Sequence, residues 1–264
     1  MNKYLSVTKN SLGEFFAYRL NFILWRVRVV VSILITFFLW VAIYSSKNSI
    51  FNYSSKEMFT YIVLMSFINS IVLSTQTGRV ADEINNGALS SFLIRPIEFI
   101  SYNLFRDLAD KILNTFFSII EIGIILLILR PPFIWQNNPG LIILFLISIV
   151  ISVFLYFFIS LILSFIGFWS HEVWAPRFIF FIIVAFLAGT YFPLDIVPKP
   201  VYSFLQLLPF TYLIFFPLKI YLGKVESIFL IKGFIISSVW LVILYFLTKH
   251  LWHKGLKAFT AEGI

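Results

Sequence analysis

Long, uninterrupted apolar runs constrain this chain more than any other feature. A helix needs about 20 mostly apolar residues to cross the hydrocarbon core of a bilayer, whereas the strands of a membrane barrel alternate over about 10. Runs of the first kind occupy residues 27–46, 58–77, 112–129, 141–169, 178–192 and 227–248, and their continuity selects helices. Composition agrees: 60% of the 264 residues are hydrophobic, Phe alone supplies 33, and only 12% are charged, against roughly 25% in soluble domains. That much apolar surface exceeds what one water-soluble core of this length hides. The expectation is an all-α integral membrane protein with six transmembrane helices, one domain over residues 1–264, since no repeat or soluble module interrupts it. The first run is longer than a signal-peptide core and has no small-residue cleavage site behind it, so it is expected to stay in the mature chain.

Six spans place both termini on one side, together with the loops after spans two and four. That side holds thirteen of the 20 lysines and arginines, among them Lys3, Lys9, Arg26, Arg28, Arg79, Arg95, Arg106 and Lys111. Such an excess marks the cytoplasmic face. Both termini are therefore expected in the cytoplasm, with the chain multi-pass in the cell membrane and surrounded by lipid. The net charge of +8 then has a topological origin, and no nucleic-acid partner is expected. Ahead of the first span, Leu5, Leu12 and Phe16 recur at spacings of 7 and 4, with Lys9 and Glu14 on other faces. This pattern predicts an amphipathic helix lying in the membrane interface.

Catalytic chemistry has little to work with. The chain contains no cysteine, which excludes thiolate nucleophiles, disulfides and zinc-thiolate sites. It contains no G-x-x-x-x-G-K-[ST] or G-x-G-x-x-G nucleotide loop, no H-E-x-x-H zinc motif and no G-x-S-x-G turn. His250 and His253 have a spacing that can share a metal, yet they sit between Lys249 and Lys254 with no third ligand nearby. His171 and Glu172 read as a solvated loop pair. No catalytic residue, metal or cofactor is expected in this chain, and any ATP must be hydrolysed by another.

Two polar features remain. Glu121 lies deep in the third span, where an ionisable group is expensive and is by default a functional candidate. One reading makes it the proton-coupling group of a stand-alone channel or secondary carrier. The other makes it a hydrogen-bonded brace against Asn69, Asn114 or another helix. The second feature is the loop after span two. Ile84, Ala88, Leu89, Phe92 and Leu93 recur as one apolar stripe of a short helix. Asp82 and Glu83 suit its first turn, Arg95 its last, and Pro96 stops it. A short amphipathic helix of this kind either rests on lipid or fits a groove on a soluble partner.

These residues carry a resemblance to a known family. The run Glu83-Ile84-Asn85-Asn86-Gly87-Ala88-Leu89-Ser90, leading into Leu93-Ile94-Arg95-Pro96-Ile97, is similar to the E-I-x-x-G-x-L-S … L-x-R-P loop of the permease subunits of type-2 (ABC-2) ABC exporters. A second stretch, Gly189-Thr190-Tyr191-Phe192-Pro193-Leu194-Asp195-Ile196-Val197-Pro198, followed by Leu208-Pro209-Phe210-Thr211-Tyr212 and Pro217, resembles that family's proline-punctuated connection before the last span. The similarity extends over essentially the whole chain. It implies that the 83–93 helix, with Asp82, Gly87 and Arg95, is a coupling helix inserted into an ATPase. It also implies that the segment holding Pro193, Asp195, Pro198, Pro209 and Pro217 forms re-entrant helices closing an extracellular exit. The implied assembly has two permeases, identical or related, and two ATPase subunits that bind ATP and magnesium. Export as the direction of transport comes from the resemblance alone. An aromatic-rich interior would suit an amphiphilic substrate.

Overall fold

A computed structural model describes residues 3–17, 19–45 and 49–259, and the chain is nearly all-α. In order, the elements are α1 (Lys3–Ala17), α2 (Arg19–Tyr44), a two-stranded hairpin of β1 (Ser49–Ile50) and β2 (Tyr53–Ser54), α3 (Ser55–Val72), α4 (Gly78–Asn85), α5 (Leu89–Leu93), α6 (Phe99–Leu129), α7 (Pro139–Ser164), α8 (Trp174–Leu187), α9 (Lys199–Leu205), α10 (Phe215–Tyr221) and α11 (Ser227–Ala258). Short 3₁₀ turns occupy Phe165–Phe168, Leu194–Ile196 and Pro209–Tyr212.

Among the described residues, four helices are long and apolar enough to cross a membrane: Phe22–Tyr44, Phe99–Leu129, Pro139–Phe168 and Ser227–Ala258. They coincide with the first, third, fourth and sixth runs expected from sequence. The other two runs fold into shorter helices. The 18 residues of α3 rise about 27 Å and the 14 of α8 about 21 Å, both short of the roughly 30 Å hydrocarbon core. Lys56 and Glu57 also take up the first turn of α3. The long helices overshoot the apolar runs: α6 begins 13 residues before 112 and carries Arg106, Asp107, Asp110 and Lys111, all buried.

Large apolar side chains cover the outside of the bundle as well as filling its inside. Leu127, Ile128, Ile228 and Phe246 stand on the outside, as helices in lipid require, since their backbones are satisfied internally. The core is aromatic, with Tyr61, Phe157, Phe165, Phe215 and Phe216 almost fully enclosed, and α3 is its centre: eleven of its residues are buried.

The two ends of the bundle differ. At one end α1 lies against α6 through stacked Tyr4 and Phe105 rings and a hydrogen bond from Thr8 Oγ1 to the Phe105 carbonyl. There α4, α5 and the last turns of α11 gather as well, Trp252 stacking on Phe99 at 3.9 Å. The expected N-terminal helix forms, with Ser11 buried and Tyr4, Thr8 and Leu12 half-buried, whereas Leu5 is turned outward. The Phe16 side chain lies outside the described residues. The opposite end holds the β hairpin, the Leu194–Ile196 and Pro209–Tyr212 turns, α9 and α10, whereas the Phe165–Phe168 turn packs at the α4 end.

Candidate functional site

The segment between α3 and α6 is not the single helix that its apolar stripe predicts. Helix α4 starts at Gly78, so Asp82 and Glu83 fall in its middle and not in its first turn. It stops at Asn85, and α5 begins only at Leu89. The break has a local cause. Gly87 adopts φ +74°, a left-handed conformation that glycine takes without steric penalty. The Asn86 side chain then accepts from the Ala88 backbone N–H at 3.0 Å, and Ser90 Oγ donates to the Gly87 carbonyl at 2.7 Å. Both bonds favour a turn over continued helix. The stripe is split as a result: Ile84 and Leu89 point into the core and Phe92 packs edge-on against Phe99, whereas Ala88 and Leu93 face outward. The outer surface of the pair includes Arg79, Asp82, Asn86, Ala88, Ser91 and Leu93 and continues into Ile94 and Arg95, with Ile94 85% exposed.

This helix pair is anchored rigidly. Gly167, in the 3₁₀ turn after α7, brings its backbone against α4 so closely that a Cβ there would lie 3.2 Å from the Ala81 carbonyl oxygen. Arg106 of α6 pairs with Glu83 at 2.6 Å, and Asn85 donates to the His171 carbonyl at 2.9 Å. The linker from α3 to α4 is tied to α6 by polar groups. Asp107 Oδ1 accepts from Thr75 Oγ1 at 2.8 Å and from the Gln76 N–H at 2.9 Å, and Asp110 accepts from the Gln76 side chain at 3.0 Å. Lys111 donates to the carbonyls of Val72 and Ser74 and lies 3.5 Å from Asp107. Thr77 reaches α7 through Ser160 at 2.6 Å, and its carbonyl accepts from Ser164 Oγ at 2.8 Å. Helix α4 and the linker before it are thus bonded to α6 and α7, and Lys111 of α6 to the end of α3.

Glu121 is neither isolated nor bonded to Asn69. Its carboxylate takes both ends of the Arg26 guanidinium from α2, the Nε–Oε1 bond being 2.6 Å. Arg26 also donates to Asn114 Oδ1 at 3.0 Å and to Ser118 Oγ at 3.2 Å. Asn69 instead lines a cavity between α2, α3 and α8. Sequence reasoning missed this pair because Arg26 reads as a topological charge before the span, whereas α2 begins at Arg19 and carries it inside. A signal was present: Asp107, Asp110, Asn114, Ser118 and Glu121 recur every three or four residues, one polar face of a helix.

At the opposite end, the proline segment folds into short turns and helices with residues 211–220 all buried. Pro193 precedes the Leu194–Ile196 turn, Pro198 precedes α9, Pro209 opens the next 3₁₀ turn and Pro217 lies within α10. Asp195 is the hub, accepting from Lys219 at 2.8 Å and from the Tyr53 hydroxyl at 3.0 Å. Asp195 and burial together hold the Tyr53 hydroxyl well above the ordinary tyrosine range, burial being the larger cause. Lys224 bridges to Glu57 at 2.9 Å, and Glu57 completes a capping box with Ser54. Tyr53 and Lys219 carried no motif in the sequence.

No group of histidine, aspartate and glutamate residues that could hold a metal occurs among the described residues, and His253 Nδ1 bonds the Lys249 carbonyl at 2.7 Å. The sequence model of the ABC-2 family transporter proteins matches residues 30–263. The chain belongs to the ABC-2 transporter family. No curated protein matches it. The match takes in most of α2 and everything from the hairpin through α11, α4, α5 and the proline segment included, and makes this a multi-pass membrane protein of a permease family that normally works with an ATPase subunit.

Proposed function

We propose that this chain is the permease subunit of an ATP-driven exporter, with α4 and α5 as the coupling element that receives force from a separate ATPase. One observation supports this above the rest: a helix pair bonded to α6 through Glu83, and through the linker before it to α6 and α7, presents Leu93, Ile94 and Arg95 outward. Exposed aliphatic residues beside a charged rim are what a groove on a soluble partner would bury. In this reading α3 and α8 complete a six-span domain over residues 1–264, and both termini face the cytoplasm of a cell-membrane protein. The proline segment with Asp195 closes the outer exit as re-entrant helices. Two ATPase copies hold ATP and magnesium, none of which this chain binds, and a second permease, identical or related, completes the assembly.

The stand-alone carrier centred on Glu121 loses its main support. A carboxylate engaged at both oxygens by Arg26 is braced, which favours a packing role for that residue.

The test is affinity purification from the native membrane in mild detergent, followed by identification of stoichiometric partners. A Walker-motif ATPase is expected with the wild type and is expected to be lost with Leu93→Glu/Ile94→Glu, while the variant still inserts. An ATPase-free wild-type chain, or full retention of the ATPase by the variant, would reject the coupling role. Leu89→Glu is unsuitable, since Leu89 is 1% exposed and a charge there would disturb the fold itself.

A further inference from the structure

Two cavities meet between α2, α3 and α8. The larger, of about 690 Å³, lies near the α4 end of the bundle, and the smaller, of about 330 Å³, extends towards Thr190. Both are lined by Trp25, Arg28, Ser74 and Phe181, so they form one groove in which polar and apolar side chains alternate, the arginines being gathered at the α4 end. Their volumes fall in the range of small-molecule sites.

The α4 end holds an unusual charge set. Arg28, Arg79 and Arg177 line it with a single carboxylate, Asp110. Arg79 is paired with Glu14 at 2.5 Å. Among the described residues, Arg28 and Arg177 make no ion pair with a carboxylate: Arg28 lies over the Trp25 ring at 3.8 Å, and Arg177 donates to Ser160 and Ser164. Asp110 is 4% exposed, and its Oδ2 has no hydrogen-bond partner among the described residues. Ser74 Oγ and Thr190 Oγ1, further along the groove, are equally unpartnered. All three atoms are closed off within the protein, so what the groove offers a ligand is the pair of arginines without carboxylate partners.

We propose that the groove binds an amphiphile with an anionic phosphate-like headgroup. The headgroup sits between Arg28 and Arg177, and the apolar chain lies along Ile33, Met65 and Phe181. Two guanidiniums give bidentate recognition of phosphate oxygens, and the aromatic walls take the start of the tail. This deepens the exporter reading by naming its substrate class. The assay below contains no ATPase, so its failure leaves the coupling proposal standing.

The purified chain in a neutral maltoside is titrated with dodecyl phosphate, dodecylphosphocholine and dodecyltrimethylammonium, which share one tail, with tryptophan fluorescence as the readout. Dodecyl phosphate is expected to bind at least about tenfold more tightly than the trimethylammonium compound. Arg28→Gln and Arg177→Gln are each expected to weaken it about tenfold, while Lys232→Gln, on an exposed face of α11, leaves it unchanged. Arg177 also braces α7, so Arg28→Gln carries the test if Arg177→Gln misfolds. Equal affinity for all three headgroups, or an equal loss in Lys232→Gln, overturns the proposal. A second arm separates the sources of the ligand: the chain is placed in phosphatidylglycerol or phosphatidylcholine nanodiscs and examined by native mass spectrometry. Arg28-dependent retention of phosphatidylglycerol that blocks dodecyl phosphate assigns the site to a bilayer lipid. Unhindered binding of dodecyl phosphate in both bilayers assigns it to a free amphiphile.

Discussion

Cutting the Arg26–Glu121 brace on one side should destabilise the protein far more than removing it whole. Both side chains are nearly enclosed, 7% and 12% exposed, and the pair is the main polar tie between α2 and the middle of α6. Arg26→Met leaves a buried carboxylate without its cation, which costs about 3–5 kcal/mol. Glu121→Leu leaves the buried guanidinium without its anion, at a similar cost of about 3–5 kcal/mol. The double variant Arg26→Met/Glu121→Leu removes both charges and should fall within about 2 kcal/mol of the wild type, the residue of loss coming from Asn114 Oδ1 and Ser118 Oγ, which no longer receive the Arg26 donors. A double-mutant cycle in mixed maltoside and dodecyl sulfate micelles, followed by tryptophan fluorescence, measures the coupling, expected at about 2 kcal/mol or more. Additive single effects, or near-neutral single variants, would refute the idea that these groups brace each other. If the double variant folds normally and still transports, Glu121 cannot be an obligatory proton carrier.

Other outcomes follow from the geometry of the helix pair and the hairpin end. Gly87→Val should lower thermal stability by about 1–2 kcal/mol, because φ +74° is strained for a branched residue, and Gly87→Asn should cost less, since asparagine tolerates that conformation. Gly167→Leu should overpack the contact with α4 and cost about 1–3 kcal/mol, seen as an earlier melt and as new protease cleavage near Ala88. Burial alone would raise the Glu57 carboxyl, but Lys224 and the Ser54 cap outweigh it and hold it below the ordinary 4.5. A carboxyl lowered on folding stabilises the protein fully above its unfolded value, and that stabilisation is lost as pH falls through the lowered one. Acid unfolding of Lys224→Met should therefore show less pH dependence below about 4.5 than the wild type; identical acid profiles would count against the bridge.

Helix positions were legible because lipid imposes a length and an outward apolar face that a bare sequence records, as the four long helices attest. Three things escaped. The short α3 owes its place to neighbours: eleven of its 18 residues are buried, so burial in protein and not lipid length sets its extent, whereas α8 buries only Val184 and Ala185 and ends just before the left-handed Gly189. The apolar stripe from Ile84 to Leu93 looked continuous because periodicity ignores φ, and Gly87 alone re-aims Ala88 and Leu93 outward. The partners of charged residues were invisible where they lie far apart in sequence, as with Arg26 and Glu121 or Tyr53, Asp195 and Lys219. The polar face of α6 could have been read from spacing, but its role as the anchor of the α3–α4 linker required the fold.

The coupling claim is tested most directly by crosslinking, for which the absence of cysteine from the chain provides a clean background. Single cysteines at Ile94 and, as a control at the hairpin end, Leu207 are introduced, and a short heterobifunctional photocrosslinker is attached in native membrane vesicles. The account predicts a discrete adduct at Ile94→Cys containing a Walker-motif ATPase, and none at Leu207→Cys. Ile94→Cys labelled only by reagents from the extracellular side, or giving no ATPase adduct while the chain is inserted and stable, would contradict it.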